Sequence, residues 1–287
     1  MSIVQVGDIE VYYEEHGAGE PLLLIMGWGG NAAAWKPQIP GLAQQYRVIA
    51  FDNRGVGRTS APNKAYTIQQ MAMDAAGLLD VLEVPSAHVF GISMGGMIAQ
   101  ELALACPKRV RSLILGCTTP GGRRSAGYTQ LRQDIAAFHR QTKDRPVDLE
   151  WFSDFLNRLW TDEALTKADG YLQDFVFAMI RFPPDPRGVR HQARAIARHD
   201  TYDRLHQIQQ RTLVMTGDDD TLIDPRNATI LADLIPNAEL RVFPGLRHAF
   251  HLERPDLVNE VMIEFIERAR PARKRTAGPA RVARRPS

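Results

Sequence analysis

The stretch His88 to Leu104, HVFGISMGGMIAQELAL, sets Gly91-Ile92-Ser93-Met94-Gly95 between an apolar run and a helical pattern. A serine at a Gly-x-Ser-x-Gly turn from strand to helix sits on a strained backbone with its hydroxyl exposed, which suits nucleophilic attack. The neighbours must be small, because the chain reverses there without room for a side chain against strand or helix. The helix that follows points its positive end at the site, and the Met94 amide can donate to a developing oxyanion. A serine hydroxyl is a weak nucleophile at neutral pH, so this chemistry demands a base held by a third group. The chain offers both downstream in the order Ser, Asp, His. TLVMTG runs into Asp218-Asp219-Asp220, and ELRVF is followed by Pro244-Gly245-Leu246-Arg247-His248. His248 thus falls in a loop between a strand and a helix, where its ring could reach Ser93.

Those residues must be positioned by regular elements, and short β-branched runs alternate along the chain with longer amphipathic stretches. This is the pattern of a mostly parallel sheet with helices on both faces. A hairpin is expected over Ile3 to Val6 and Ile9 to Glu15, then strands over Leu22 to Met26, Arg47 to Phe51, Ala87 to Phe90, Val110 to Leu115, Thr212 to Thr216 and Glu239 to Phe243. Helical patterns cover Thr67 to Leu82, Met94 to Ala105, Asn227 to Leu234 and Pro255 to Ala269, with Pro225 and Pro255 where helices begin. From about Thr118 to His206 the alternation stops, and helical patterns carry Trp151, Phe152, Phe155, Trp160, Phe175, Phe177 and Phe182. A structureless connection of that length is implausible, so a helical insertion between two strands is expected.

Other chemistries fit less well. The Asp218-Asp219-Asp220 run lacks the alternating ligands and glycine of a calcium loop. DNRGVGRTS, residues 52–60, lacks both the Gly-Lys-Ser/Thr ending of a phosphate loop and the spacing of a dinucleotide fingerprint. His199-Asp200 with His191 faintly suggests a metal-dependent phosphohydrolase, but the neighbours form an Arg-rich helix with no second acidic cluster. No metal and no organic cofactor is expected.

The composition, 44% apolar and 24% charged over 287 residues, is that of an ordinary soluble globular protein. Cys106 and Cys117, each among small or apolar neighbours, read as buried thiols in a reducing compartment. The N-terminus MSIVQVGDIE has no signal-peptide pattern and no apolar run approaches the ~20 residues of a membrane span, so a cytoplasmic location is expected. The net charge of +2 averages two unlike parts. After Glu267 stand eight basic residues and no acidic one, which leaves the preceding body at −6. The tail, residues 270–287, reads as a disordered solvated extension, with no role in binding nucleic acid or membrane.

Together these segments resemble the α/β-hydrolase superfamily from Ile3 to about Ala269, and in particular its small serine esterases and 3-oxoadipate enol-lactonase-like members with a helical cap. The matching residues are Gly27-Trp28-Gly29-Gly30, Asp52-Asn53-Arg54-Gly55-Val56-Gly57-Arg58-Thr59-Ser60, Gly91-Ile92-Ser93-Met94-Gly95-Gly96, Gly217-Asp218-Asp219-Asp220, and His248 with Glu253-Arg254-Pro255. The resemblance implies an α/β-hydrolase fold: an eight-stranded, mostly parallel sheet with helices on both faces and a cap over 118–206, inserted between core segments 1–117 and 207–269. It selects Asp220 as the acid, with Asp219 as runner-up, and makes DNRGVGRTS a structural turn. It completes the oxyanion hole with the amides of Trp28 and Met94, the Trp28 indole walling the acyl site. Relatives that open epoxides or remove halides carry aspartate at the elbow, so Ser93 points instead to acyl transfer. The implied substrate is a small ester or lactone, apolar or aromatic, taken by a monomer or homodimer. Carbon–carbon bond hydrolysis, perhydrolysis and a ligand-binding receptor of the same fold remain open. Family members often have histidine where Met26 stands, and a backbone donor tolerates that change.

Overall fold

The computed structural model describes residues 2–141, 149–167 and 170–268. Eight strands form one sheet: β1 (Ser2–Val6), β2 (Ile9–His16), β3 (Glu20–Ile25), β4 (Tyr46–Phe51), β5 (Ala87–Ile92), β6 (Val110–Gly116), β7 (Thr212–Gly217) and β8 (Ala238–Phe243). Their order is β1-β2-β4-β3-β5-β6-β7-β8. The hairpin strands β1 and β2 pair antiparallel with each other, and β2 with β4; the other pairings are parallel. The central strands are apolar on both sides because both sides are covered, as a parallel sheet requires. Leu22 and Leu24 of β3 enter one core cluster and Leu23 and Ile25 the other. Each such leucine buries side-chain area worth about 1.5–3 kcal/mol.

One face carries α2 (Ile68–Val81), α3 (Met94–Ala105) and α9 (Arg226–Leu234); the other carries α1 (Ile39–Leu42), α10 (Phe250–Glu253) and α11 (Pro255–Glu267). Thr67 starts α2 by accepting the Gln70 amide, and Pro255 opens α11 where a missing N–H costs nothing. Between β6 and β7 lie α4 (Tyr128–Gln141), α5 (Leu149–Leu159), α6 (Asp162–Lys167), α7 (Gly170–Arg181) and α8 (Pro186–Arg198), the expected helical insertion. Its aromatic residues divide. Trp160 and Phe175 are buried against each other, ring centroids 6.2 Å apart, whereas Phe177 is exposed. The side chains of Trp151 and Phe152, like the tail 270–287, lie outside the described residues. Cys117 is buried as expected; Cys106, at the C-cap of α3, is only half-buried, because the chain turns outward there toward β6.

The strand order places β3 between β4 and β5, so successive connections leave β3 in opposite directions. A crevice opens at such a switch point, outside the carboxyl ends of the strands. The loop after β3 and the turn after β5 both end in it, which brings Gly27–Gly30 beside Ser93.

Candidate active site

Ser93 occupies the turn from β5 to α3 at φ 55°, ψ −119°, a conformation that costs a non-glycine residue on the order of 1–3 kcal/mol. Two glycines make the turn sterically possible. A Cβ on Gly91 would collide with the Gly95 carbonyl, and one on Gly95 with the carbonyl oxygen of Ile25. Hydrogen bonds then hold the strain: the Ser93 amide donates to Gly116 O (2.8 Å), and its carbonyl accepts Thr118 Oγ1 (2.7 Å) and Gly96 N (2.9 Å). Met94 is the first residue of α3, where backbone N–H groups have no acceptor within the helix.

His248 follows β8 and is almost fully buried. Its Nδ1 lies 2.7 Å from Asp220 Oδ2, while Asp220 Oδ1 accepts the amides of Leu222 (2.8 Å) and Ile223 (3.0 Å). The three aspartates thereby separate in role. Asp218 accepts the Gly245 amide, and Asp219 turns to solvent and pairs with Arg247 at 3.1 Å, leaving Asp220 alone against the histidine. Arg247 also donates to the carbonyls of Asn157 and Trp160, and the Ala249 amide to Leu159 O, so the histidine loop is fastened to the end of α5. Glu253 accepts the Thr161 amide and hydroxyl on the same side; burial raises its carboxyl above the usual value.

Among the described residues no hydrogen bond joins Ser93 Oγ to His248. The Nε2 faces Cys117 Sγ at 3.6 Å instead. Burial, and then the charge of Asp220, push the Cys117 thiol well up, while the Ser93 amide beside it acts in the opposite sense. Cys117 therefore links the two halves of the site: it touches the histidine ring and the backbone of the elbow.

The loop after β3 packs directly on the serine. A Cβ on Gly27 would stand 3.2 Å from Ser93 Cβ and 3.7 Å from its Oγ. Three side chains fix this loop. Asn53 Nδ2 donates to Met26 O at 2.9 Å, and Asn31 reaches the carbonyls of Ala178 and Phe182. Gln192, fully buried on α8, accepts the Gly29 amide at 3.0 Å and donates to Arg54 O at 2.9 Å. The Met26 side chain lies under Gly30. The Trp28 indole donates to Val189 O (3.0 Å) and meets Phe138 edge-on, with Phe155 beyond.

DNRGVGRTS is the brace of this arrangement. Asp52 accepts the Ala32 and Arg58 amides and the Arg58 guanidinium, and Arg54 is clamped by Asp74. His199 is buried at the end of α8, His191 meets the Tyr66 ring at a tilt of 41° with centroids 4.9 Å apart, and Asp200 caps the following turn by accepting the Tyr202 amide. A surface cavity of about 330 Å³ opens at His139, Arg140, Arg190 and Arg194, and none of Ser93, Asp220 or His248 lines it.

Sequence reasoning missed Gln192, Phe138 and the contact of Cys117 with His248. Gln192 left a trace, being the one polar residue on the inward side of the Val189, Ala193, Ile196 stripe of a basic helix. No pattern marked Phe138.

The family model described as "alpha/beta hydrolase fold" matches residues 20–255. The chain is 34% identical to the protein named "Putative carbamate hydrolase RutD" of Azorhizobium caulinodans, across 92% of this chain and 98% of that one. It is 32% identical to "Putative non-heme bromoperoxidase BpoC" of Mycobacterium tuberculosis, across 90% and 97%. Among solved structures, a thermophilic esterase from Thermogutta terrifontis superposes with a TM-score of 0.82 at 26% identity, across 93% of this chain and 99% of that one. With that match spanning most of the sequence and an eight-stranded, mostly parallel sheet in accord with it, the chain belongs to the alpha/beta hydrolase family.

Proposed function

We propose that the protein is a serine hydrolase that cleaves a carboxylic ester or lactone through an acyl-enzyme. The observation that carries this reading is the buried Asp220–His248 pair at 2.7 Å, joined through Cys117 to a serine on a strained elbow. The Asp220 carboxylate holds the Nδ1 proton, which leaves Nε2 as the acceptor. On substrate binding the His248 ring exchanges the Cys117 thiol for Ser93 Oγ. His248 takes the serine proton as Oγ attacks the carbonyl, and Asp220 stabilises the imidazolium. The amides of Met94 and Trp28 receive the oxyanion, each worth roughly 3 kcal/mol of barrier. The leaving alcohol takes the proton from His248, and a water activated by the same ring releases the acid.

Trp28, Phe138 and Phe155 gather at the oxyanion loop and support an apolar or aromatic acyl group. We assign residues 118–206 to a cap over this small-molecule site, with core segments 1–117 and 207–269. No helix among the described residues is long and apolar enough to cross a membrane. A carbamate is a second substrate class, favoured by the 34% identical relative, since attack on its carbonyl uses the same groups. Turnover of a panel of p-nitrophenyl esters, lactones and carbamates separates these classes. Activity that survives in pure Ser93→Ala protein would overturn the serine mechanism, and no turnover of any member would favour the receptor reading.

A further inference from the structure

The end of β6 places a second reactive group against the histidine. Cys117 is 1% exposed, sits at φ 36°, and its amide is tied to Met215 O of β7 at 2.8 Å, so its backbone is held in place beside the histidine. Its Sγ stands 3.6 Å from His248 Nε2. A tetrahedral ion with bonds of about 2.3 Å to sulfur and about 2.0 Å to nitrogen sets those two atoms about 3.5 Å apart. Ligand atoms of Cys117, His248 and Asp220 all fall within 4.8 Å of one another, and all three residues are buried.

We propose that Cys117 and His248 form a chelate for one thiophilic divalent cation of the zinc and cadmium class, and that its binding shuts the active site. Asp220 does not ligate. It accepts from Nδ1 and so presents the Nε2 lone pair to the ion, which is the carboxylate–histidine–metal arrangement of many zinc sites. On binding, metal–sulfur and metal–nitrogen bonds form, the thiol proton passes to solvent, and four of the six waters of the aqueous ion leave as it becomes tetrahedral. Water retains the remaining positions. The ion occupies the lone pair that would accept the Ser93 proton, so inhibition rests on the hydrolase reading, whereas binding does not.

The test is a Cd²⁺ titration of the full-length protein, followed by the ultraviolet charge-transfer absorbance of a cadmium–thiolate bond and by equilibrium dialysis. One equivalent is expected, unchanged in Cys106→Ser, lost in Cys117→Ser and weakened at least tenfold in His248→Gln, each variant checked by its melting curve. A band that follows Cys106, or persists in Cys117→Ser, or is missing from the unmodified chain, overturns the site. Ester turnover should fall at least tenfold at saturating Cd²⁺, return with EDTA, and be insensitive to Cd²⁺ in Cys117→Ser. A normal band in a protein that turns over no substrate would count against the hydrolase reading and leave this site standing.

Discussion

The two sides of the crevice are built by different means. On the core side, Ser93, Asp220 and His248 leave the ends of strands, and backbone contacts fix them: glycines that admit no Cβ, a carbonyl from β6, two amides on Asp220. On the insertion side, one side chain of α8 reaches across 163 positions to hold the loop after β3, and Trp28 rests on Phe138. Geometry forced by backbone tolerates almost no substitution. Geometry held by a buried amide side chain can be degraded in steps, and the variants below exploit that contrast.

The largest effect belongs to the core side. Ser93→Ala should lower kcat by roughly 10⁶ if the triad acts as a unit. Next, Asp220→Asn should cost roughly 10⁴ by stabilising the wrong tautomer of His248. Asp219→Asn, which removes only an exposed partner of Arg247, should leave kcat within about twofold. Equal losses at Asp219 and Asp220 would break the assignment.

On the insertion side, Gln192→Met keeps volume while leaving the part-buried Gly29 amide and the buried Arg54 carbonyl without their partner, the carbonyl alone at about 1–3 kcal/mol of stability. With the oxyanion loop loosened, kcat should fall about tenfold with KM little changed, since the donor acts on the transition state. A change confined to KM would mean that Gln192 serves only the pocket wall.

The smallest effect concerns acid stability, where the two sides should respond alike. His199, at the C-cap of α8, and His251, in α10, are each held near about 3. Burial is the main cause in both, followed by the charge of Arg204 for His199 and of His248 for His251. Neither ring makes a hydrogen bond among the described residues. Each stays neutral when folded and takes up a proton on unfolding below about pH 6.5, so stability is full above that value and falls as pH drops toward 3. By pH 5 the loss is on the order of 2 kcal/mol per histidine. Urea midpoints at pH 7.5 and 5 check this, and His199→Gln and His251→Gln should each flatten the slope by one proton. An unchanged slope in both would contradict it.

The same contrast explains what was legible in the sequence. The five strands from β3 to β7 could be read as short, largely apolar runs and the hairpin and β8 as apolar–polar alternations, and the elbow because Gly91, Ser93 and Gly95 are local requirements of one turn. Helix ends were displaced by only a residue or two, as at Pro255–Glu267 against the expected extension to Ala269. What escaped notice was long-range. Cys117 and His248 are 131 positions apart and meet only because β6, β7 and β8 lie side by side. Gln192 reads as one more polar residue among arginines until α8 is laid across the loop after β3.

The central claim is that Ser93 is the nucleophile and that Asp220 and His248 activate it. Reaction with a fluorophosphonate, followed by peptide mass spectrometry, tests it most directly. The account predicts a single adduct on Ser93, formed rapidly in the unmodified protein and slowed at least a hundredfold in His248→Gln. An adduct on any other residue, or labelling of Ser93 at an undiminished rate without His248, would contradict it.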